Sequence, residues 1–290
     1  FKTSKCHKMM KCNLSIIIAH YYSKNTLKEN PLIKTLASIL QQQQNYEIEI
    51  IIADDGSNYS KNILKNYSKK IDIYDDIRQI YILENEKLNL FLQEKNIQNN
   101  LITKWIYLPK LISCMSKAKV LNYSVEYAQS NNLFFLDDDN YLISNNTIIN
   151  LLNLFNQYNF IVGQIKDNNG RLRPYNSSRV QGSTIGIKKS IFNKVQGFGE
   201  WTEKYSCGVD SDFWIKIFNY FKQTNDLKAC YSNKIKTYNS CSKRWKKYTK
   251  IFKEIKLKNE FYNLYNCKNY KNVKYNLSRN KQLWIKNLIT

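Results

Sequence analysis

LSIIIAHYYSKNTLKENPLIKTLASILQQQQNYEIEIIIADDGSN, residues 14–58, decides the fold. It opens on a β-branched run, LSIIIAHYY (14–22), with the length and character of a buried strand. PLIKTLASILQQ (31–42) then places Leu32, Leu36, Ile39 and Leu40 at helical spacing, with Pro31 suited to a first turn. EIEIIIADDGSN (47–58) is a second apolar strand, closed by acids and a turn glycine. Strand, helix and strand in so short a span make a βαβ unit, which predicts parallel strands and an α/β fold.

The pattern continues outward. QIYIL (79–83) and WIYL (105–108) read as strands within an otherwise ambiguous polar stretch. KAKVLNYSVEYAQ (117–129) repeats apolar residues at 118, 121, 125 and 128 and predicts a helix, followed by the buried strand LFFL (133–136). TIINLLNLFNQY (147–158) reads as a helix and NFIVGQI (159–165) as a strand. STIGIKKSIF (183–192) reads as a strand with a helical turn, and VDSDFWIKIFNYF (209–221) as an amphipathic helix carrying Phe213, Trp214, Ile217, Phe218 and Phe221 on one face.

The 290 residues suffice for one large domain or a domain with an appendage. The expected division is a basic leader (1–13), an α/β domain (14–227) and a basic, aromatic-rich segment (228–290). Because the first residue is Phe, a fragment or trimmed chain is expected. No apolar window approaches the roughly 18 residues of a membrane span. Seven Cys without C-x-x-C spacing argue against a disulfide scaffold or zinc site and for a reduced, cytoplasmic setting. The formal charge of +22 is uneven: residues 228–290 hold seventeen Lys and Arg against Glu254 and Glu260.

Three acidic loops carry candidate chemistry. In ADDGS (53–57), Gly56 permits a sharp turn after a strand, where a carboxylate can accept from a ribose hydroxyl or a base N–H. The same residues also make an ordinary solvated turn. In FFLDDDN (134–140), three aspartates end an apolar run. Repulsion and desolvation oppose that arrangement unless a cation sits there, and hard oxygens suit Mg²⁺ or Mn²⁺. A solvated acidic turn is the alternative. In CGVDSDFW (207–214), Asp210 and Asp212 open a helix, either as dipole-opposing caps or as a general base and its neighbour. Taken together, a nucleoside acceptor, a metal–phosphate site and a base suit transfer of a group from a nucleoside diphosphate.

With these motifs in order, LSIIIAHYY, IIADDGSN, KAKVLNYSVEYAQSNNLFFLDDDN and GFGEWTEKYSCGVDSDFW, the chain resembles glycosyltransferase family 2. The resemblance spans about residues 14–222, and its last motif is of the galactosyltransferase-like C-terminal kind. It implies a GT-A fold, a Rossmann-like, mostly parallel central sheet flanked by helices, with 14–227 as the catalytic domain, about 14–140 binding nucleotide and about 141–227 facing the acceptor. By the same resemblance, Asp55 contacts the nucleotide base, with Ala19 and His20 beside it, and Asp138 touches ribose or sugar. Asp139 binds Mn²⁺ or Mg²⁺ with Asp137, and Asp210 is the catalytic base supported by Asp212. Lys117 and Lys119 lie near the diphosphate. His20 reads equally as a packed or capping residue. The activity implied is metal-dependent, inverting sugar transfer from a nucleotide-sugar, a UDP-sugar in the first instance. The acceptor implied is a glycan or lipid-linked glycan in surface polysaccharide synthesis. Sugar selectivity is assigned to pocket shape and the polar stretch 166–182.

The chain departs from the family pattern in two places. Val209 stands where the family has the Glu before the base. No His occurs late in the chain, where KTYNSCSKRW (236–245) offers Tyr238 or Asn239 instead. These departures leave a non-catalytic nucleotide- or membrane-binding relative as one alternative. A nucleotidyltransferase is another, disfavoured because AHYYSKNTLKEN lacks the glycine-rich loop it requires. Trp245, Tyr248, Phe252 and Ile255 recur at helical steps among basic residues. They suit either a helix on the inner, anionic face of a membrane or one packed on the catalytic domain. No nucleic-acid-binding motif accompanies the charge.

Overall fold

The chain is described by a computed structural model over residues 12–25, 29–42, 46–97, 102–111, 114–173, 180–224, 226–240, 250–266 and 284–289. The βαβ unit forms as the sequence predicts. Strand β1 (Leu14–His20) and strand β2 (Ile48–Asp54) pair in parallel, Leu14 opposite Ile48 and His20 opposite Asp54. Between them runs α1 (Pro31–Leu40), whose Asn30 cap accepts the Leu32 N–H at 3.0 Å. Leu40, expected inward, is 38% exposed, because Leu32, Thr35, Leu36 and Ile39 already fill the buried face.

The next elements are α2 (Lys61–Tyr67), β3 (Lys70–Ile73), β4 (Gln79–Glu84), α3 (Asn85–Glu94) and β5 (Ile102–Tyr107). They are followed by α4 (Lys117–Glu126), β6 (Asn132–Asp137), β7 (Asn140–Leu142), α5 (Thr147–Phe155) and β8 (Phe160–Asp167). Then come β9 (Ile185–Lys188), α6 (Lys189–Lys194), a 3-10 turn (Glu200–Tyr205) and α7 (Val209–Gln223). Strand β10 (Ala229–Asn239), α8 (Lys250–Tyr265) and β11 (Ile285–Leu288) complete the described elements.

The strands make one sheet in the order β11-β10-β8-β9-β6-β1-β2-β5-β4-β3, with β7 beside β10. Its centre, β6-β1-β2-β5, is parallel, and antiparallel pairs lie to either side. Every residue of β1 and β2 is buried, because helices cover both faces. Ile17, Ala19, Ile51 and Ala53 point to one layer, which holds Ala118, Leu121, Phe192, Phe213 and Phe261 from α4, α6, α7 and α8. Ile16, Ile18, Ile50 and Ile52 point to the other, with Leu32, Leu64, Phe91 and Leu151 from α1, α2, α3 and α5. This is the mixed α/β architecture of the GT-A fold, with helices flanking a sheet whose centre is parallel.

The chain stays in the sheet beyond residue 227, where the basic segment is expected to begin. Strand β10 lies inside the sheet, parallel to β8 from Ala229 opposite Phe160 to Asn239 opposite Asp167. Strand β11 then pairs with β10. The basic segment therefore begins as core. In α8, Leu257 and Phe261 are buried, with the Phe261 ring 5.1 Å from Trp201. That favours packing on the domain for this part of the helix. Trp245 and Tyr248 lie outside the described residues, as do the side chains of Phe252 and Ile255. Among the described residues, no helix is long and apolar enough to cross a membrane. Cys12, Cys114 and Cys230 are thiols.

Candidate active site

Parallel strands end together, so the register places His20 opposite Asp54 and Ala19 opposite Asp137 at the carboxyl edge of β1, β2 and β6. Loop carboxylates lie immediately beyond that edge, the usual ligand position in such sheets.

The two aspartates after β2 divide between structure and site. Asp54 is buried and accepts from Ser57 N–H (2.8 Å), Ser60 Oγ (2.8 Å) and Trp105 Nε1–H (3.0 Å), so it holds the turn together. Asp55 accepts from Ser116 N–H at 3.0 Å and pairs with Lys110 Nζ at 2.8 Å. Burial lifts its carboxyl to about 6, against the opposing pull of Lys110 and the Ser116 N–H. Lys110 also stands 3.9 Å from the centre of the Tyr21 ring. Gly56, at φ +76°, makes this approach possible, since a Cβ there would meet Lys110 N at 2.5 Å.

The triple aspartate splits by the alternation of the chain. Asp138 turns inward and is 1% exposed. It lies 2.6 Å from His20 Nδ1 and accepts the Tyr21 N–H at 3.2 Å. A carboxylate only accepts, so His20 Nδ1 carries the hydrogen, and Nε2 lies 2.9 Å from the Tyr59 hydroxyl. Burial, together with Asp54 and Asp138, keeps the Tyr59 hydroxyl protonated well beyond its ordinary range. His20 and Asp138 thus form a buried brace beneath the turn, and Ala19 is likewise buried. Thr35 Oγ1 donates to the Asp138 carbonyl at 2.8 Å and fixes the turn.

Asp137 and Asp139 are half-buried and turn to the other side. Lys117 Nζ is 2.5 Å from Asp137 Oδ1. Burial alone would lower the Lys117 ammonium, but the charges of Asp137, Asp210 and Asp139 overcome it and hold the group above its usual range. Asp210, in the first turn of α7, packs directly on Gly182: a Cβ there would lie 2.0 Å from Asp210 Oδ1. The end of β10 closes the same corner, with Asn239 opposite Asn140 and Ser240 N–H donating to the Asp139 carbonyl at 2.9 Å. This is where the absent late histidine is expected. Tyr238 instead points its hydroxyl to the Asn168 carbonyl at 3.1 Å.

Two expected site residues stand apart from this group. Asp212 is fully buried and receives the Trp201 Nε1–H at 2.9 Å and the Tyr265 hydroxyl, with Lys216 Nζ at 3.1 Å. It ties the 3-10 turn, α7 and α8 together. Lys119 pairs with Glu203 at 2.5 Å, next to Arg78, which reaches Glu203 at 2.7 Å and Asp75 at 2.5 Å. Two helical residues apart, Lys117 and Lys119 point to different surroundings. Val209 is buried in the apolar layer, so the family's Glu position serves packing in this chain.

The sequence reading did not select Lys110, Tyr21 or Gly182. Lys110 lies just past WIYL, at the same sheet edge as Asp55, and its position in strand order was the available signal. Gly182 is one of only eight glycines. Among the described residues, no three His, Cys, Asp or Glu side chains group as metal ligands. The two outward carboxylates, Asp137 and Asp139, fit a hard divalent ion that substrate phosphates would help to ligate.

Residues 15–90 match the sequence profile described as Glycosyl transferase family 2. No curated protein matches the chain by sequence. Among solved structures, mannosyltransferase PcManGT from Pyrobaculum calidifontis, in complex with GDP-Man and Mn²⁺, aligns at a TM-score of 0.50 and 15% identity, over 81% of this chain and 59% of that one. S. aureus TarS aligns at 0.46 and 16% identity, over 71% of this chain and 33% of that one. TarS residues 1–349 in complex with UDP align at 0.45 and 16% identity, over 71% and 55%. The chain therefore spans between one third and about three-fifths of the length of these proteins.

Proposed function

We propose, from the match of residues 15–90 to the Glycosyl transferase family 2 profile and from the GT-A fold, that this chain transfers a sugar from a nucleotide-sugar donor with inversion at the anomeric carbon. The carrying observation is that Asp137, Asp139, Asp210 and Lys117 meet at the end of β6, beside Asp55 at the end of β2. Asp55, Lys110 and Tyr21 receive the base, and a UDP-sugar is the donor proposed. Asp137 and Asp139 hold Mn²⁺ or Mg²⁺, which supplies positive charge for the leaving diphosphate. Asp210 takes the proton of the acceptor hydroxyl as that oxygen attacks C1. The C1–oxygen bond to the diphosphate breaks, and its electron pair leaves with the phosphate oxygen. Gly182 leaves room for the Asp210 carboxylate and lines the approach of the acceptor, proposed as a glycan or lipid-linked glycan of surface polysaccharide synthesis. The basic chain beyond β10 suits an anionic acceptor or membrane surface at the cytoplasmic face.

The test is nucleotide release from a panel of UDP- and GDP-sugars with Mn²⁺. The reading requires turnover with at least one donor and its loss in Asp210→Asn. Burial of Val209, where a second acceptor-binding carboxylate is expected, favours one other reading: a relative that binds donor without turnover. UDP–Mn²⁺ binding with no transfer to any acceptor identifies that case.

A further inference from the structure

The Lys117–Asp137 contact assigns a role to the lysine beyond lining the diphosphate. Its Nζ lies 2.5 Å from Asp137 Oδ1, with Asp139 and Asp210 contributing to its field. The side chains of Lys117 and Asp137 retain 19% and 31% of their exposure, so both remain partly open to solvent. A divalent ion on Asp137 would share this carboxylate with the ammonium. Ion and ammonium cannot both hold it at full strength, since like charges at such range repel. Lysine suits exchange between partners, being a compact charge on a flexible stem rather than a fixed planar fork. Once released, the ammonium has a negative diphosphate as its nearest new partner.

We propose that Lys117 is a tethered cation that covers the metal carboxylates of the donor-free protein and transfers to the diphosphate when metal and nucleotide enter. This rests on the donor-site reading above and deepens it. The device keeps the acids neutralised between turnovers and couples metal binding to donor binding, because each gives Lys117 a reason to leave Asp137.

The proposal makes opposite-signed demands on one variant. In Lys117→Met, Mn²⁺ alone, titrated calorimetrically into the donor-free protein, binds about tenfold more tightly than in the wild type. UDP in saturating Mn²⁺ binds about tenfold more weakly. General damage to the site would weaken both. Lys117→Arg keeps the charge and brings Mn²⁺ affinity back toward the wild-type value. Asp137→Asn, measured with UDP and no metal, binds the nucleotide more tightly than the wild type, because its ammonium is already released. This provides a second test independent of how Lys117→Met folds. Unchanged or weakened Mn²⁺ binding in Lys117→Met, or unchanged metal-free UDP binding in Asp137→Asn, overturns the proposal while leaving the donor site standing. A wild type that binds neither Mn²⁺ nor UDP overturns both.

Discussion

At the scale of single residues, neighbouring aspartates have separate tasks. Asp54 is saturated by three donors, whereas Asp55 is held by Lys110 and Ser116 and remains costly to ionise. With its carboxyl lifted to about 6, the folded protein binds more protons than the unfolded chain between about pH 4 and 6. Stability from this group therefore falls as pH rises through that window, by about 3 kcal/mol in all. Asp55→Asn lacks the titration, so its melting temperature should gain on the wild type between pH 4.5 and 7 while UDP binding weakens. Thermal scans across pH check the sign. Gly182→Ala puts a methyl group where Asp210 sits. Turnover should fall by about a hundredfold or more, the scale of a displaced general base. UDP–Mn²⁺ affinity should change little.

Elements explain what was legible in the sequence and what was not. Strong periodicity identified β1, α1, β2, α4, β6, α5 and α7, and the acidic loops at their ends followed from the parallel order. The orientation of each acid was hidden, because it depends on which donors the neighbouring strands and helices present. Asp138 is claimed by His20, 118 residues away in sequence, and Asp212 by Trp201 and Tyr265. Strand β10 was missed because its alternation is interrupted by charges, while its position in the sheet comes from pairing with β8 across sixty-odd residues. Helix α4 offers an internal control: Lys119→Met should lower stability through Glu203, with UDP affinity nearly unchanged, whereas Lys117→Met shifts both ligands. In α8, Phe261→Ala removes a fully buried ring and should cost about 3–5 kcal/mol by denaturant unfolding.

For the whole molecule, the sheet places the Asp55 turn and the Asp137–Asp139 turn at one edge and covers both faces with apolar layers. The buried brace of His20, Asp138, Tyr59 and Thr35 anchors the turn that bears the outward acids. The basic chain past β10 belongs partly to that body, since α8 packs on the 3-10 turn and Tyr265 reaches Asp212. The most direct measurement is calorimetric titration of UDP into the protein in saturating Mn²⁺, for the wild type, Asp55→Ala and Asp139→Ala. Specific binding by the wild type, weakened at least tenfold by each substitution, is the result expected. Wild-type binding that neither substitution disturbs, or no binding at all, would contradict the location of the donor site.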